Sequence, residues 1–200
     1  NSELTPELAQ SFDFGFDQVL GDKEDIRFGA TFFYNSIEDV IEYRGAFPNS
    51  QYTNVSELVT KGIEAYVTYD IRENLQVTAN YTRTHSYQKE ENTETTQALR
   101  RPLNSANLIV NYQPIDKLDL EASLNYLGTR TDADFHPVTF AAVSVRHKQL
   151  TLVNLAASYE LNDNIRVFGK LNNVFNQNYQ LAQNYNNYGR TVYGGLELSF

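Results

Sequence analysis

Apolar and polar residues alternate with period two along most of this chain. Phe12, Phe14 and Phe16 alternate with Ser11, Asp13, Gly15 and Asp17; Ile26, Phe28, Ala30, Phe32 and Tyr34 alternate with Arg27, Gly29, Thr31 and Phe33. The same rhythm returns at Ile63–Tyr69, Leu75–Tyr81, Ala106–Tyr112, Leu118–Tyr126, Val153–Tyr159, Ile165–Leu171 and Val192–Phe200. Successive side chains of a strand point to opposite faces, so each segment predicts a strand with one apolar and one polar face. The pattern predicts nine strands and no helix.

The connections sort into two classes in strict rotation. Short links are Gly21–Asp25, Asp70–Asn74, Gln113–Lys117 and Glu160–Asn164; long polar links run over about 42–58, 85–103, 128–150 and 173–189. A soluble β-sandwich also alternates, but it has no reason to gather short turns at one end and long loops at the other, whereas a transmembrane barrel does so. The polar faces carry Gln76, Thr78, Asn80 and Thr82, or Asp119, Glu121, Ser123 and Asn125, as a wet lumen requires. The apolar faces hold no charge at their centres, where an Arg or Lys in lipid costs roughly 2–4 kcal/mol. Tyr69, Tyr112 and Tyr159 stand before short turns, and Tyr34, Tyr81 and Tyr126 before long loops. Amphipathic rings favour the membrane–water interface, so the six tyrosines predict two aromatic girdles. With short turns on the periplasmic side the first strand runs downward from the outer rim. Nine strands from that start break the even count of closed bacterial barrels and leave polar edges that lipid cannot satisfy. The chain is therefore expected to be part of a larger barrel and, with two open edges, not to fold alone.

Composition refines this picture. Hydrophobic residues make up 41% of 200 residues and charged ones 20%; 16 basic against 25 acidic residues give a net charge of −9. Nothing resembles a basic stripe for phosphate backbones, which argues against a nucleic-acid binder. With no cysteine, disulfides, Cys-bound zinc and thiol nucleophiles are excluded. There are 14 Tyr and 12 Phe but no Trp and no Met, so the chain reads as processed or excised from something longer. A mean hydropathy of −0.49 reflects the averaging of two opposite faces rather than solubility. No apolar run approaches the ~20 residues of a membrane helix.

Several stretches carry a more specific likeness. Leu171-Asn172-Asn173-Val174-Phe175-Asn176-Gln177-Asn178-Tyr179, then Tyr188-Gly189-Arg190 and a last strand ending in Phe200, resemble the terminal signature of TonB-dependent outer-membrane receptors. Asn1-Ser2-Glu3-Leu4-Thr5-Pro6-Glu7 resembles the family's "N-P-x-L-x-P-E" element, with Ser2 where Pro is common. Tyr52-Thr53-Asn54 with Lys61-Gly62-Ile63-Glu64 resembles its "Y-x-N … G-x-E" segment, and Arg101-Pro102 its "R-P" before a strand. Within the family, Tyr126-Leu127-Gly128-Thr129-Arg130-Thr131-Asp132-Ala133-Asp134-Phe135 and Leu99-Arg100-Arg101 are similar to stretches of the vitamin B12 (cobalamin) receptors. Siderophore receptors share much of the same terminal grammar.

The resemblance implies an all-β antiparallel transmembrane barrel, of which residues 1–200 are the C-terminal nine or so of 22 strands and 183–200 the C-terminal signature and last strand. It implies TonB-driven uptake of a large, scarce nutrient, cobalamin first and a ferric siderophore as the alternative, at the outer membrane of a Gram-negative cell. No cofactor is implied. Implied partners are the TonB complex acting through a plug, outer-membrane lipid and lipopolysaccharide, and the barrel-assembly machinery, which reads the terminal aromatic Phe200. Carried over residue by residue, ligand contacts fall on Arg100 and on Phe135, where the cobalamin receptors commonly have Tyr. Loops 85–103 and 128–150 would form the capture surface. The competing readings are that Arg100 pairs with a loop carboxylate such as Glu94, that Phe135 packs inside its own loop, and that Phe200 is only an apolar strand end.

Catalytic and metal chemistry find little support. His85, His136 and His147 read as loop residues, and Asp132-x-Asp134-x-His136 is the one constellation with metal-compatible donors, at a spacing without geometric warrant in an irregular loop. No G-x-S-x-G elbow or phosphate loop occurs. The run Glu90-Glu91-Asn92-Thr93-Glu94 reads as a solvated outer loop. A barrel enzyme or structural barrel is the alternative from another class, and an upstream plug would discriminate against it. A soluble sandwich, in turn, would tolerate Leu120→Arg.

Overall fold

The computed structural model describes residues 1–44, 48–90, 96–139 and 142–200, and among them there is no helix. The strands are β1 (Leu8–Leu20), β2 (Ile26–Arg44), β3 (Gln51–Arg72), β4 (Leu75–Glu90), β5 (Thr96–Gln97), β6 (Asn104–Ile115), β7 (Leu118–Leu127), β8 (Arg130–Phe135), β9 (Ala142–His147), β10 (Leu150–Asn162), β11 (Ile165–Asn172), β12 (Gln180–Ala182), β13 (Tyr185–Asn186) and β14 (Thr191–Leu198). Nine of them form one antiparallel meander in the order β1-β2-β3-β4-β6-β7-β10-β11-β14, with β5 added to β4. The nine strands are those the alternation predicts. β8–β9 and β12–β13 are separate small hairpins inserted in long links.

The pairing register shows why the alternation survives folding. One unbroken row of partners crosses the whole sheet: Leu20, Ile26, Tyr69, Val77, Val110, Ala122, Leu155, Leu171 and Val192. One residue away, on the other face, the row reads Arg27, Thr68, Thr78, Ile109, Ser123 and Asn154. No second layer covers the apolar face: Phe14 is 70% exposed and Leu196 67%, while the buried apolar residues among those described are only Val59, Ala98 and Leu150. A soluble sandwich would bury this face, so that reading is excluded. All six tyrosines of the proposed girdles fall on the apolar face by register.

The apolar band does not run straight across the rows. Its upper edge is Phe12 on β1 but Val192 on β14, and the row of Val192 meets β1 at Leu20, eight residues further along over eight strand-to-strand steps. One residue of drift per strand, at about 3.3 Å per residue and about 4.8 Å between strands, tilts the strands by about 35° to the band. That is the tilt of outer-membrane barrels. The concave face is polar and charged, with Arg27–Asp70 at 3.2 Å and Arg166–Asp119 at 3.3 Å.

Two expectations need correction. The links at 42–58 and 85–103 are not wholly loops: β2 and β3 continue to the pair Arg44↔Gln51, and β4 runs to Glu90. Their polar sequences read as loop, but a backbone ladder needs no apolar face once the strands leave the hydrocarbon. For the same reason His85 belongs to β4 rather than to a loop. The acidic run 91–94 lies outside the described residues.

Candidate outer-loop site

Three of the four long links, those at 85–103, 128–150 and 173–189, join at Asp132. It sits on β8, is 0% exposed, and accepts hydrogen bonds from Arg100 Nε at 2.8 Å, from the Gln183 backbone N–H at 2.7 Å and from the Ala133 N–H at 2.8 Å. His147 Nε2 of β9 lies 3.6 Å from its other oxygen. Burial opposes the charge on this carboxyl, but the donors outweigh it and hold its pKa down to about 2. Segments separated by 32 and 51 positions are thus fastened to one carboxylate.

Neighbouring residues extend the joint. Arg100 has a left-handed backbone (φ 61°), and its N–H donates to the Thr131 carbonyl at 2.7 Å. Arg130 is buried and its guanidinium donates to the carbonyls of Gln180 and Leu181. Asp134 accepts from Gln183 Nε2 at 2.9 Å and Asn184 Nδ2 at 3.1 Å. A cavity of about 770 Å³ opens between Arg130, His147, Lys148, Tyr179 and Asn187.

The two carried-over ligand residues occupy different places. Arg100 is at the base of the β8–β9 hairpin, paired with Asp132; Glu94, its alternative partner, lies outside the described residues. Phe135 is at the other end of the hairpin, opposite Ala142 and 66% exposed, with its backbone N–H on Asp134 Oδ1. The Asp132, Asp134 and His136 side chains do not converge: the first two face Gln183, while His136 Nδ1 accepts from the N–H groups of Val138 and Thr139 at 3.3 Å. Phe200 is fully exposed just beyond β14, whose end is tied down by Asn164 Nδ2 on the Ser199 carbonyl at 2.7 Å.

The sequence elements that carry the family likeness prove to be backbone fasteners. Asn54 grips Thr5 at both ends, accepting from its N–H and donating to its carbonyl at 2.9 Å each, and Glu7 accepts the Ile41 N–H at 2.8 Å beside the bulge at Asp39. In the terminal signature Asn173 clasps Gln177, and Asn176 Oδ1 accepts the Arg190 N–H at 2.8 Å. A Cβ on Gly189 would lie 2.6 Å from that same Asn176 oxygen, which is why glycine stands there.

The sequence model of the family described as "TonB dependent receptor-like, beta-barrel" matches residues 1–174. The chain belongs to this family. The iron-regulated outer membrane virulence protein of Vibrio cholerae serotype O1 is 28% identical over 157 residues, covering 78% of this chain. The chain spans about a quarter (24%) of that relative's length. Among solved structures, the pyoverdine outer membrane receptor FpvA of Pseudomonas aeruginosa PAO1 superposes with a TM-score of 0.80 at 19% identity, covering 98% of this chain and 30% of that one. The siderophore receptor PirA of Acinetobacter baumannii gives a TM-score of 0.80 at 19% identity, with 100% and 33% covered. At these identities the structural likeness establishes the receptor-barrel fold.

Proposed function

We propose that this TonB-dependent receptor barrel belongs to an outer-membrane importer of a ferric siderophore. The family match over residues 1–174 carries the reading, and the iron-related names of the relative and of the structural neighbours choose the cargo. Cobalamin, the first choice from the motifs, rests on the Tyr126–Phe135 and Leu99–Arg101 stretches alone. The geometry explains those stretches by Asp132 and its partners, without any ligand.

In this reading the joined outer segments form a rigid mouth that captures the chelate, with Phe135 presented at its rim. Arg100 then acts mainly by holding the mouth together, with the rest of its guanidinium turned to solvent for a ligand oxygen. Uptake would be powered by TonB through a plug, and Phe200 would serve the barrel-assembly machinery. The test uses the full-length receptor: binding and TonB-dependent uptake of a panel of ferric siderophores against cobalamin. Saturable uptake of a ferric chelate supports the proposal; uptake of cobalamin alone overturns it.

A further inference from the structure

We propose that the cavity between the β8–β9 hairpin and segment 177–187 binds a small oxyanion of the phosphate class, held by Arg130, His147 and Lys148. The inference goes beyond the cargo, because it rests on how the outer segments join and not on which chelate they capture. Arg130 and His147 are direct cross-strand partners at the base of the hairpin. Lys148 follows them, just before β10 begins at Leu150. The opposite wall comes from the terminal signature, through Gln177, Tyr179 and Asn187. The cavity measures about 770 Å³, and no carboxylate is among the residues that line it.

Arg130 is a buried cation whose set of bonds is unfinished. It is only 5% exposed. Its Nε donates to the Leu181 carbonyl at 3.3 Å and its Nη2 to that of Gln180, and both acceptors are neutral. Its Nη1 is buried and has no hydrogen-bond partner among the described residues. Asp132, two residues along β8, is already engaged by Arg100 and by the backbone N–H groups of Gln183 and Ala133. Burial pushes the Arg130 pKa down, and the charge of Asp132 opposes that shift without reversing it.

His147 supplies a second orphan on the same wall. Its Nε2 is buried, stands 3.6 Å from Asp132 Oδ2, and makes no hydrogen bond among the described residues. Lys148 is exposed and forms no ion pair among those residues. Buried polar groups in folded proteins find partners, and a guanidinium out of water needs a counter-charge. A water molecule answers the first demand but not the second. An oxyanion answers both, since its several oxygens accept charge-assisted bonds from guanidinium, ammonium and imidazole together. The volume also admits a hydration shell or a small polar remainder, with the carboxamides of Gln177 and Asn187 as neutral donors. Bound there, the oxyanion ties the hairpin to segment 177–187 as a second fastener beside Asp132.

The full-length receptor, in neutral detergent and without siderophore, is followed by hydrogen exchange in 177–187 at constant ionic strength. Sodium phosphate, glucose 6-phosphate, glucose and sodium chloride are compared. At about ten times its dissociation constant a ligand of the closed joint slows exchange roughly ten-fold. Slowing by phosphate points to the free ion, and slowing by glucose 6-phosphate alone to an organic phosphate; either supports the site. No slowing by either phosphate, or equal slowing by chloride or glucose, overturns it. The effect should vanish in Arg130→Gln and weaken at least ten-fold in Lys148→Glu, and an unchanged effect in Lys148→Glu overturns the proposal. If Arg130→Gln fails to assemble, the exposed Lys148→Glu decides. Siderophore uptake is read separately, so this site and the proposed cargo can fail independently.

Discussion

Arg100 Nε and Asp132 Oδ1 stand 2.8 Å apart across 32 positions of sequence, and the carboxylate is wholly buried while the side chain of Arg100 is largely exposed. The pair is one spoke of a wheel whose other spokes are the backbone N–H groups of Gln183 and Ala133, with the His147 imidazole 3.6 Å away. Removing the hub leaves the Gln183 N–H without its acceptor, which costs about 1–3 kcal/mol for a buried donor, whereas the largely exposed Arg100 guanidinium turns to water and loses little. Asp132→Ala should therefore raise hydrogen exchange together in 96–103, 130–139, 142–147 and 180–186. Exchange that rises in the β8–β9 hairpin alone would contradict the joint.

A double-mutant cycle separates the two roles of Arg100. If Arg100 acts through Asp132, Arg100→Ala should weaken ferric-siderophore binding several-fold in the native background and have little further effect in Asp132→Ala. A full additional loss in the second background would make Arg100 a direct ligand contact.

The Asp132 carboxyl also sets a pH window. Its folded pKa of about 2 lies below the ordinary carboxyl value of 3.8, so the folded joint favours the charged form. The stabilisation is complete above the unfolded value and is lost as pH falls from about 4 towards 2. A spin label at Phe135→Cys should gain mobility over that range, and in Asp132→Ala it should be mobile throughout.

Neighbouring residues of β7 test the faces. Leu120 belongs to the apolar side, between Tyr112 and Ala157, whereas Glu121 faces the lumen between Asn111 and Ala156. Leu120→Arg should cost about 1–4 kcal/mol, depending on depth in lipid, and lower outer-membrane levels of the full-length receptor. Glu121→Arg should be tolerated. Equal levels for both would refute the lipid-facing assignment.

The ends of the chain offer two simpler checks. Deleting Phe200 should leave receptor unassembled, and normal outer-membrane levels would contradict its role in assembly. Gly189→Ala should displace Asn176 from the Arg190 N–H and lower the thermal midpoint, whereas an unchanged midpoint would show that the clasp is dispensable.

Alternation alone determined the nine strands, the face each residue takes and the rotation of short and long links, because side-chain direction in a strand depends only on parity and lipid demands an apolar outer face. It misplaced the strand ends at 42–58 and 85–103, where the ladder climbs past the membrane and the sequence turns polar without ceasing to be β. The family resemblance, not the alternation, pointed to Arg100, and the Asp132-x-Asp134-x-His136 spacing drew attention to the two aspartates; neither showed what these residues do, and neither singled out Gln183. Only the tertiary structure decided that Asp132 is a hub and that Asn54 and Asn176 are clasps. Each of these joins residues from different strands or loops, and such contacts are fixed by register and by long-range closure, which no local pattern encodes.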